Sequence, residues 1–324
     1  GFDLGLFKNL INITADIYYK KTTNLLLDVP LPYTSGQTSS LQNYGTVQNK
    51  GIELSVSSDN IRGTFKWSTN LVFSLNRNKV LSLGNGVDYI ITNPLIVKVG
   101  EPLGSFYGYK TNGIFQLTDD ISKLPTIAPA NTKPGDRRYA DINGDGIITQ
   151  ADDRVIIGNA QPKFTGGITN NFTYKGFDLS IFLQGSYGND LFNQNKQQLE
   201  LLTGQQNVSI TALDRWTPTN PSNTMPRAKI DPAPVNNDRF VEDASFLRVK
   251  NLTLGYNFPK SLASKLKARQ LRFYIAAQNL VTWTKYTGYD PEVSANGQST
   301  LLMGVDYATY PNYKSFLVGL NLTF

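Results

Sequence analysis

The chain has 324 residues, a net charge of +6, 17% charged and 11% aromatic residues, and neither cysteine nor histidine. Disulfides, thiol nucleophiles, Cys/His zinc sites and His-based catalytic triads are thereby excluded. The positive charges form no long run, so a nucleic-acid surface has no support, and no apolar run approaches the ~20 residues that a membrane helix needs.

Plentiful Gly, Pro, Asn and Thr suits strands and turns rather than helices. Apolar residues recur with period two, the signature of half-buried strands. In chain order the alternation predicts strands near 1–7, 10–27, 48–58, 65–78, 163–174, 177–188, 245–258, 271–283 and 314–324. The fourth sets Phe65, Trp67, Leu71, Phe73 and Leu75 against Lys66, Ser68, Asn70, Ser74 and Asn76. The sixth sets Phe177, Leu179, Ile181, Leu183 and Tyr187 against Asp178, Ser180, Gln184 and Ser186, with Phe182 breaking the pattern. The last sets Phe316, Val318, Leu320, Leu322 and Phe324 against Lys314, Asn321 and Thr323.

Short connections (8–9, 59–64, 175–176, 259–270) alternate with long ones (28–47, 79–162, 189–244, 284–313). Strands of this length match a tilted crossing of a bilayer, and long loops gathered at one end are the habit of outer-membrane barrels. The expected fold is all-β: the C-terminal part, about nine strands, of a large antiparallel transmembrane β-barrel with long extracellular loops, spanning 1–324. A half-buried soluble sheet alternates in the same way. The alternative is therefore a secreted calcium-binding β-protein, an adhesin or a carbohydrate-binding module.

Aromatics near strand ends, among them Tyr18, Tyr19, Trp67, Phe73, Phe172, Tyr174, Tyr187, Tyr256, Phe258, Tyr274 and Trp283, are expected to form membrane girdles. Trp216, Tyr286, Tyr289, Tyr307, Tyr310 and Tyr313 lie in or beside outer loops, where they either stack on ligands or pack the loops. The carboxylate neighbours Asp119/Asp120 and Glu242/Asp243 point to opposite faces of an extended chain, so no catalytic role is expected. The chain is not read as an enzyme.

One stretch carries its own chemistry. "DINGDGIITQAD" (141–152) puts Asp141, Asn143, Asp145, the Ile147 carbonyl, Thr149 and Asp152 at calcium-loop positions 1, 3, 5, 7, 9 and 12, with Gly146 at the sharp turn. Oxygen-only ligands select a hard cation, and Ca2+ in a structural role is expected. Asp152 replaces the usual Glu, which favours weak binding. The other reading is an Asn-Gly/Asp-Gly turn without metal. The site lies in the 79–162 loop just before a strand, and with no core expected in that loop, calcium is expected to brace it.

"YADINGDGIITQADDRVIIGNAQPKFTGGITNNFTYKGFDLSIFLQGSYGNDLFN", "LQNYGTVQNKGIELSVS", "GEPLGSFYGYKTNGIFQ", "DASFLRVKNLTLGYNFP" and the closing Phe324 together resemble the C-terminal barrel of the SusC/RagA family of TonB-linked outer-membrane transporters. The resemblance implies a plugged barrel of about twenty-two strands, an outer-membrane location, and uptake of glycan or peptide oligomers under a SusD-like surface lipoprotein. It also implies energy from TonB through a region upstream of this chain. Plug, TonB box and N-terminal domain are not visible, so they are expected upstream, and the remainder of the same barrel and outer-membrane lipid are expected to cover this segment.

Overall fold

The computed structural model describes residues 1–324 apart from 31–33, 35, 38, 85, 128–130, 203–206, 230–234, 296, 298 and 300. Nine strands form one antiparallel sheet in chain order: β1 (Phe2–Leu6), β2 (Ile11–Pro30), β3 (Ser39–Ile61), β4 (Phe65–Ser82), β5 (Phe164–Tyr174), β6 (Phe177–Tyr187), β7 (Phe246–Asn257), β8 (Gln270–Thr284) and β9 (Ser315–Thr323). β1 and β9 stand at its two ends. Every expected strand is present. β2, β3 and β4 run further toward the long-loop end than alternation predicts, and there Val47 and Val80 are buried in a loop core.

Register fixes which side chains share a face. One row across the sheet reads Ala15, Leu54, Phe73, Gly166, Gly185, Leu247 and Trp283. The adjacent row reads Asp16, Glu53, Ser74, Thr165, Ser186 and Phe246. The first row belongs to the apolar face and the second to the mainly polar one. On the apolar face Ile17 is 81% exposed, Phe316 74% and Val318 72%. That much bare hydrocarbon is a liability in water and a requirement in lipid. Polar groups on this face are satisfied locally: Trp67 Nε1 and Thr69 Oγ1 donate to Asn170 Oδ1 at 2.9 and 2.7 Å, and Asn60 Nδ2 donates to Thr69 Oγ1 at 2.7 Å. Unpaired, each would be costly to place in hydrocarbon.

Two aromatics expected in the girdles face the polar side instead. Tyr18 pairs with Gly51, and Tyr274 with Gly319; a Cβ on either glycine would collide with the tyrosine ring. Phe182, the break in the alternation of β6, lies in the same way over Gly167 of β5, where a Cβ would come within 2.7 Å of the ring. In each case a glycine on the neighbouring strand leaves a slot on the inner face, and an aromatic ring fills it.

β7 contains a bulge: Leu183 opposes Val249, Phe182 opposes Asn251, and Lys250 is the extra residue. The bulge resets the alternation, so Leu247, Val249 and Leu252 keep the apolar face while Arg248 and Lys250 both reach Glu292 on the other. Arg248 is 1% exposed. It pairs with Asp290 at 2.7 Å and with Glu292, and its Nε donates to Thr282 Oγ1 at 2.8 Å. Asp290 also accepts the Glu292 and Asn312 amides at 2.9 and 3.1 Å. Burial works against the Asp290 charge, yet those amides and Arg248 hold its carboxyl below the usual range. One guanidinium thus ties the last long loop to the inner wall.

The long loops are not coreless, contrary to expectation. Leu95, Phe106, Phe192, Phe240 and Val305 form one buried cluster, and Leu191, Ala244, Tyr286 and Val293 another. A four-stranded sheet built from Tyr89–Thr92, Leu95–Lys98, Ser105–Tyr109 and Arg154–Asn159 supports the first. The hydrophobic core of this chain sits above the sheet, in the loops.

The face assignment predicts that Leu179→Arg, which puts a charge into hydrocarbon, costs roughly 2–4 kcal/mol near the midplane. Ser180→Arg turns to the polar side and is expected to cost clearly less. Unfolding of the full-length protein in lipid vesicles compares the two, and equal losses would contradict the assigned faces.

Candidate functional site

The concave polar face holds a groove of about 780 Å3 whose lining includes Asp16, Glu53, Ser74, Phe182, Gln184 and Glu292. Its floor comes from β2 to β7, and Glu292 of the last long loop roofs it. Gln184 Nε2 donates to Glu292 Oε1 at 3.2 Å, so wall and roof are joined. The lining sets carboxylates, amides and hydroxyls among Leu54, Phe73, Phe182 and Phe246, without a nucleophile–base pair. It can hydrogen-bond a polar solute and performs no evident bond-breaking chemistry.

Among the loop aromatics, Trp216 and Tyr286 are structural. Both are buried, Trp216 Nε1 donating to Gln116 Oε1 at 2.9 Å and Tyr286 OH to Asp306 at 2.6 Å. Tyr289, Tyr307, Tyr310 and Tyr313 are exposed, Tyr289 and Tyr310 by more than four-fifths. The carboxylate neighbours separate as expected. Asp119 accepts the Gln116 amide, Asp120 pairs with Lys123, Glu242 takes Lys196 and Thr287, and Asp243 takes the Ser245 amide.

The 141–152 segment is an exposed turn held by its own side chains. Asp141 accepts the Gly144 and Gly146 amides at 2.7 and 2.8 Å, Asn143 the Asp145 amide at 3.2 Å, and Asp145 the Ile147 amide at 2.8 Å. The Ile147 amide, and then the Asn143 side chain, hold the Asp145 carboxyl below its ordinary range. Gly146 takes φ +86°, which a side chain would strain. Asp141, Asn143 and Asp145 therefore share one turn. Thr149 and Asp152 are tied to each other instead, Thr149 Oγ1 donating to Asp152 Oδ2 at 3.0 Å. Among the described residues no three carboxylates converge tightly enough to cage an ion.

The residue that closes the loop is Asp153, one position past the motif. Fully buried, it accepts the Ile142 amide at 2.8 Å and the Thr149 amide at 2.7 Å, clasping the two sides of the turn. The only hint of it in the sequence is the doubled acid at 152–153.

Residues 1–280 match the family model described as TonB dependent receptor-like, beta-barrel. Over its whole length the chain is 38% identical to TonB-dependent receptor P3 of Formosa agariphila, of which it covers 33%. It is 30% identical, again over its whole length, to TonB-dependent receptor SusC of Bacteroides thetaiotaomicron, covering 31% of that protein. Among solved structures, the RagAB peptide transporter matches 99% of this chain and 34% of its own with a TM-score of 0.80 at 27% identity. The chain spans about a third of the length of the curated relatives it matches. These likenesses set aside the secreted adhesin or binding module, and the relatives are receptors, not enzymes. The chain belongs to the TonB-dependent receptor β-barrel family of the bacterial outer membrane, and within it to the SusC/RagA type.

Proposed function

We propose that this chain supplies wall and outer loops to an energised uptake channel for nutrient oligomers, glycan or peptide. The channel works with a SusD-like surface lipoprotein and draws its energy through TonB. The observation that carries this reading is the two-faced sheet. A groove of about 780 Å3 that offers carboxylates, amides and hydroxyls lies on one side under an anchored loop, and a face suited only to lipid lies on the other. The match to the RagAB peptide transporter supports a peptide cargo. The free edges of β1 and β9 fit completion by further strands of the same barrel, since open edges are not tolerated in hydrocarbon. The exposed Tyr289 and Tyr310 on the loop that roofs the groove suit contact with cargo or lid.

The calcium reading belongs to the same proposal. Asp141, Asn143 and Asp145 already share a turn, and each carboxylate oxygen that holds an amide keeps a second lone pair for a cation. Binding requires Asp152 to leave Thr149. The ion would brace 138–159 ahead of β5 and take no part in transport chemistry.

Uptake of labelled peptides and labelled oligosaccharides, measured in cells expressing the full-length protein and its partner with and without TonB, tests the function. One class is expected to accumulate only with TonB. The double change Tyr289→Ala, Tyr310→Ala is expected to lower that uptake roughly tenfold, the scale of losing one aromatic anchor. Accumulation of neither class, or of either without TonB, would contradict the reading.

Hydrogen exchange of 138–159 tests the ion. Calcium is expected to protect this segment with a midpoint of ~10⁻⁴–10⁻³ M, as for weak extracellular sites. The double change Asp141→Ala, Asp145→Ala is expected to abolish the protection while leaving β5 intact. Identical exchange with and without millimolar calcium would rule the ion out.

A further inference from the structure

The short-turn end of the wall carries charge of one sign. Across 164–187, 246–284 and 315–323 the sequence holds a single carboxylate side chain, Asp178. On the inner face Arg272 takes it in an ion pair, and Asn257 Nδ2 donates to it at 2.8 Å. The connections at this end, 175–176 and 258–269, bring Lys175, Lys260, Lys265, Lys267 and Arg269. All five are exposed, and among the described residues, which include the whole of this end, none has a carboxylate within ion-pair distance. The two connections are neighbours, since the Asn257 amide donates to the Gly176 carbonyl at 2.7 Å.

The longer connection is folded. A short helix, Lys260–Lys265, is closed by the Ala268 amide donating back to the Ala263 carbonyl at 3.1 Å, and both alanines are buried. This closure places Lys267 at φ +56°, where glycine is the usual residue. The helix packs on β8. Leu271 of β8 pairs with Leu322 and belongs to the apolar face. Phe273 and Ile275 on that face are 42% and 46% exposed, but Leu271, where the helix packs, is only 6% exposed. The connection therefore folds back along the lipid side of the wall. Leu262 and Leu266, four residues apart and so on one side of the turn, are both exposed. Next to it, Lys175 holds its ammonium 5.2 Å over the ring of Tyr174, an exposed aromatic at the end of β5.

We propose that 258–269, with Lys175 beside it, is a docking surface for anionic phospholipid headgroups of the periplasmic leaflet. The short turns of an outer-membrane barrel lie on that side. Exposed leucines below and cations above are the pattern of a helix lying in a membrane interface. Lysine stems run along the apolar surface while their ammonium groups reach the headgroup level. Five cations without a carboxylate of their own match phosphodiesters that carry a net negative charge, and a zwitterionic headgroup meets them with no net attraction. The leucines favour a phosphate attached to acyl chains over free phosphate. The surface makes no demand on which oligomer the barrel carries. It requires the sheet to stand in a bilayer, and it stands or falls apart from the transport reading.

The test is hydrogen exchange of the full-length transporter in two kinds of bilayer nanodisc, one of phosphatidylcholine alone and one with a quarter of it replaced by phosphatidylglycerol. Exchange over 259–270 is expected to slow about fivefold or more in the anionic bilayer, the scale of one lysine near an anionic surface. High salt is expected to remove the difference. The triple change Lys260→Gln, Lys265→Gln, Lys267→Gln is expected to abolish it. The triple change Lys98→Gln, Lys110→Gln, Arg215→Gln, at exposed positions in the long loops, is expected to leave it as it was. Equal exchange of the unaltered protein in the two bilayers would overturn the proposal without reference to any variant. So would a difference that survives the first triple change, or the same slowing produced in phosphatidylcholine by millimolar inorganic phosphate.

Discussion

In hydrocarbon a backbone amide or carbonyl has no water to turn to, and each one left unpaired costs several kcal/mol. Almost every feature of this chain follows from that constraint. It demands long, unbroken ladders, and β2 to β9 are joined edge to edge without a crossover. It demands that interruptions be repaired, and the bulge at Lys250 is absorbed within the β7–β8 pairing. It extends to side chains on the lipid face, where Asn170, Thr69 and Trp67 satisfy one another. It also displaces the hydrophobic core. A wall that is apolar toward lipid and polar toward its lumen has no interior of its own, so Phe106, Phe192 and their neighbours build one in the loops above.

The loops and the wall then need a mechanical link, and Arg248 supplies it. Breaking a buried ion pair by removing one partner typically costs about 3–5 kcal/mol, because the other charge is stranded. Here Asp290 would keep only its two amide donors, while Glu292 would fall back on Lys250 and Gln184. The loop that carries them also carries the exposed Tyr289 and Tyr310. A surface meant to meet ligand or partner is therefore held over the groove by a contact that lies inside the wall.

Much of this was legible in the sequence. The nine strands, their order and the alternation of short and long connections follow from period-two patterning, because lipid on one face enforces the pattern strictly. The exceptions were not legible, for a physical reason. Whether Phe182, Tyr18 or Tyr274 turns inward depends on a glycine in another strand, and that pairing is known only once register is fixed. The loop cores escaped for the same cause: Leu95 meets Phe192 and Val305 across separations that no local pattern records. Asp153 was overlooked because the loop motif ends at Asp152, although Asp153 clasps both sides of the turn.

The claim on which the rest depends is that this sheet crosses the outer membrane with its long loops outward and its short turns toward the periplasm. Single cysteines at two exposed positions, Lys123 in the first folded loop and Ser264 in the short connection between β7 and β8, test it in cells expressing the full-length protein. A membrane-impermeant maleimide is expected to label Lys123→Cys on intact cells, and to label Ser264→Cys only after the outer membrane is permeabilised. Labelling of Ser264→Cys alone on intact cells would invert the account, and equal labelling of both would remove the membrane from it.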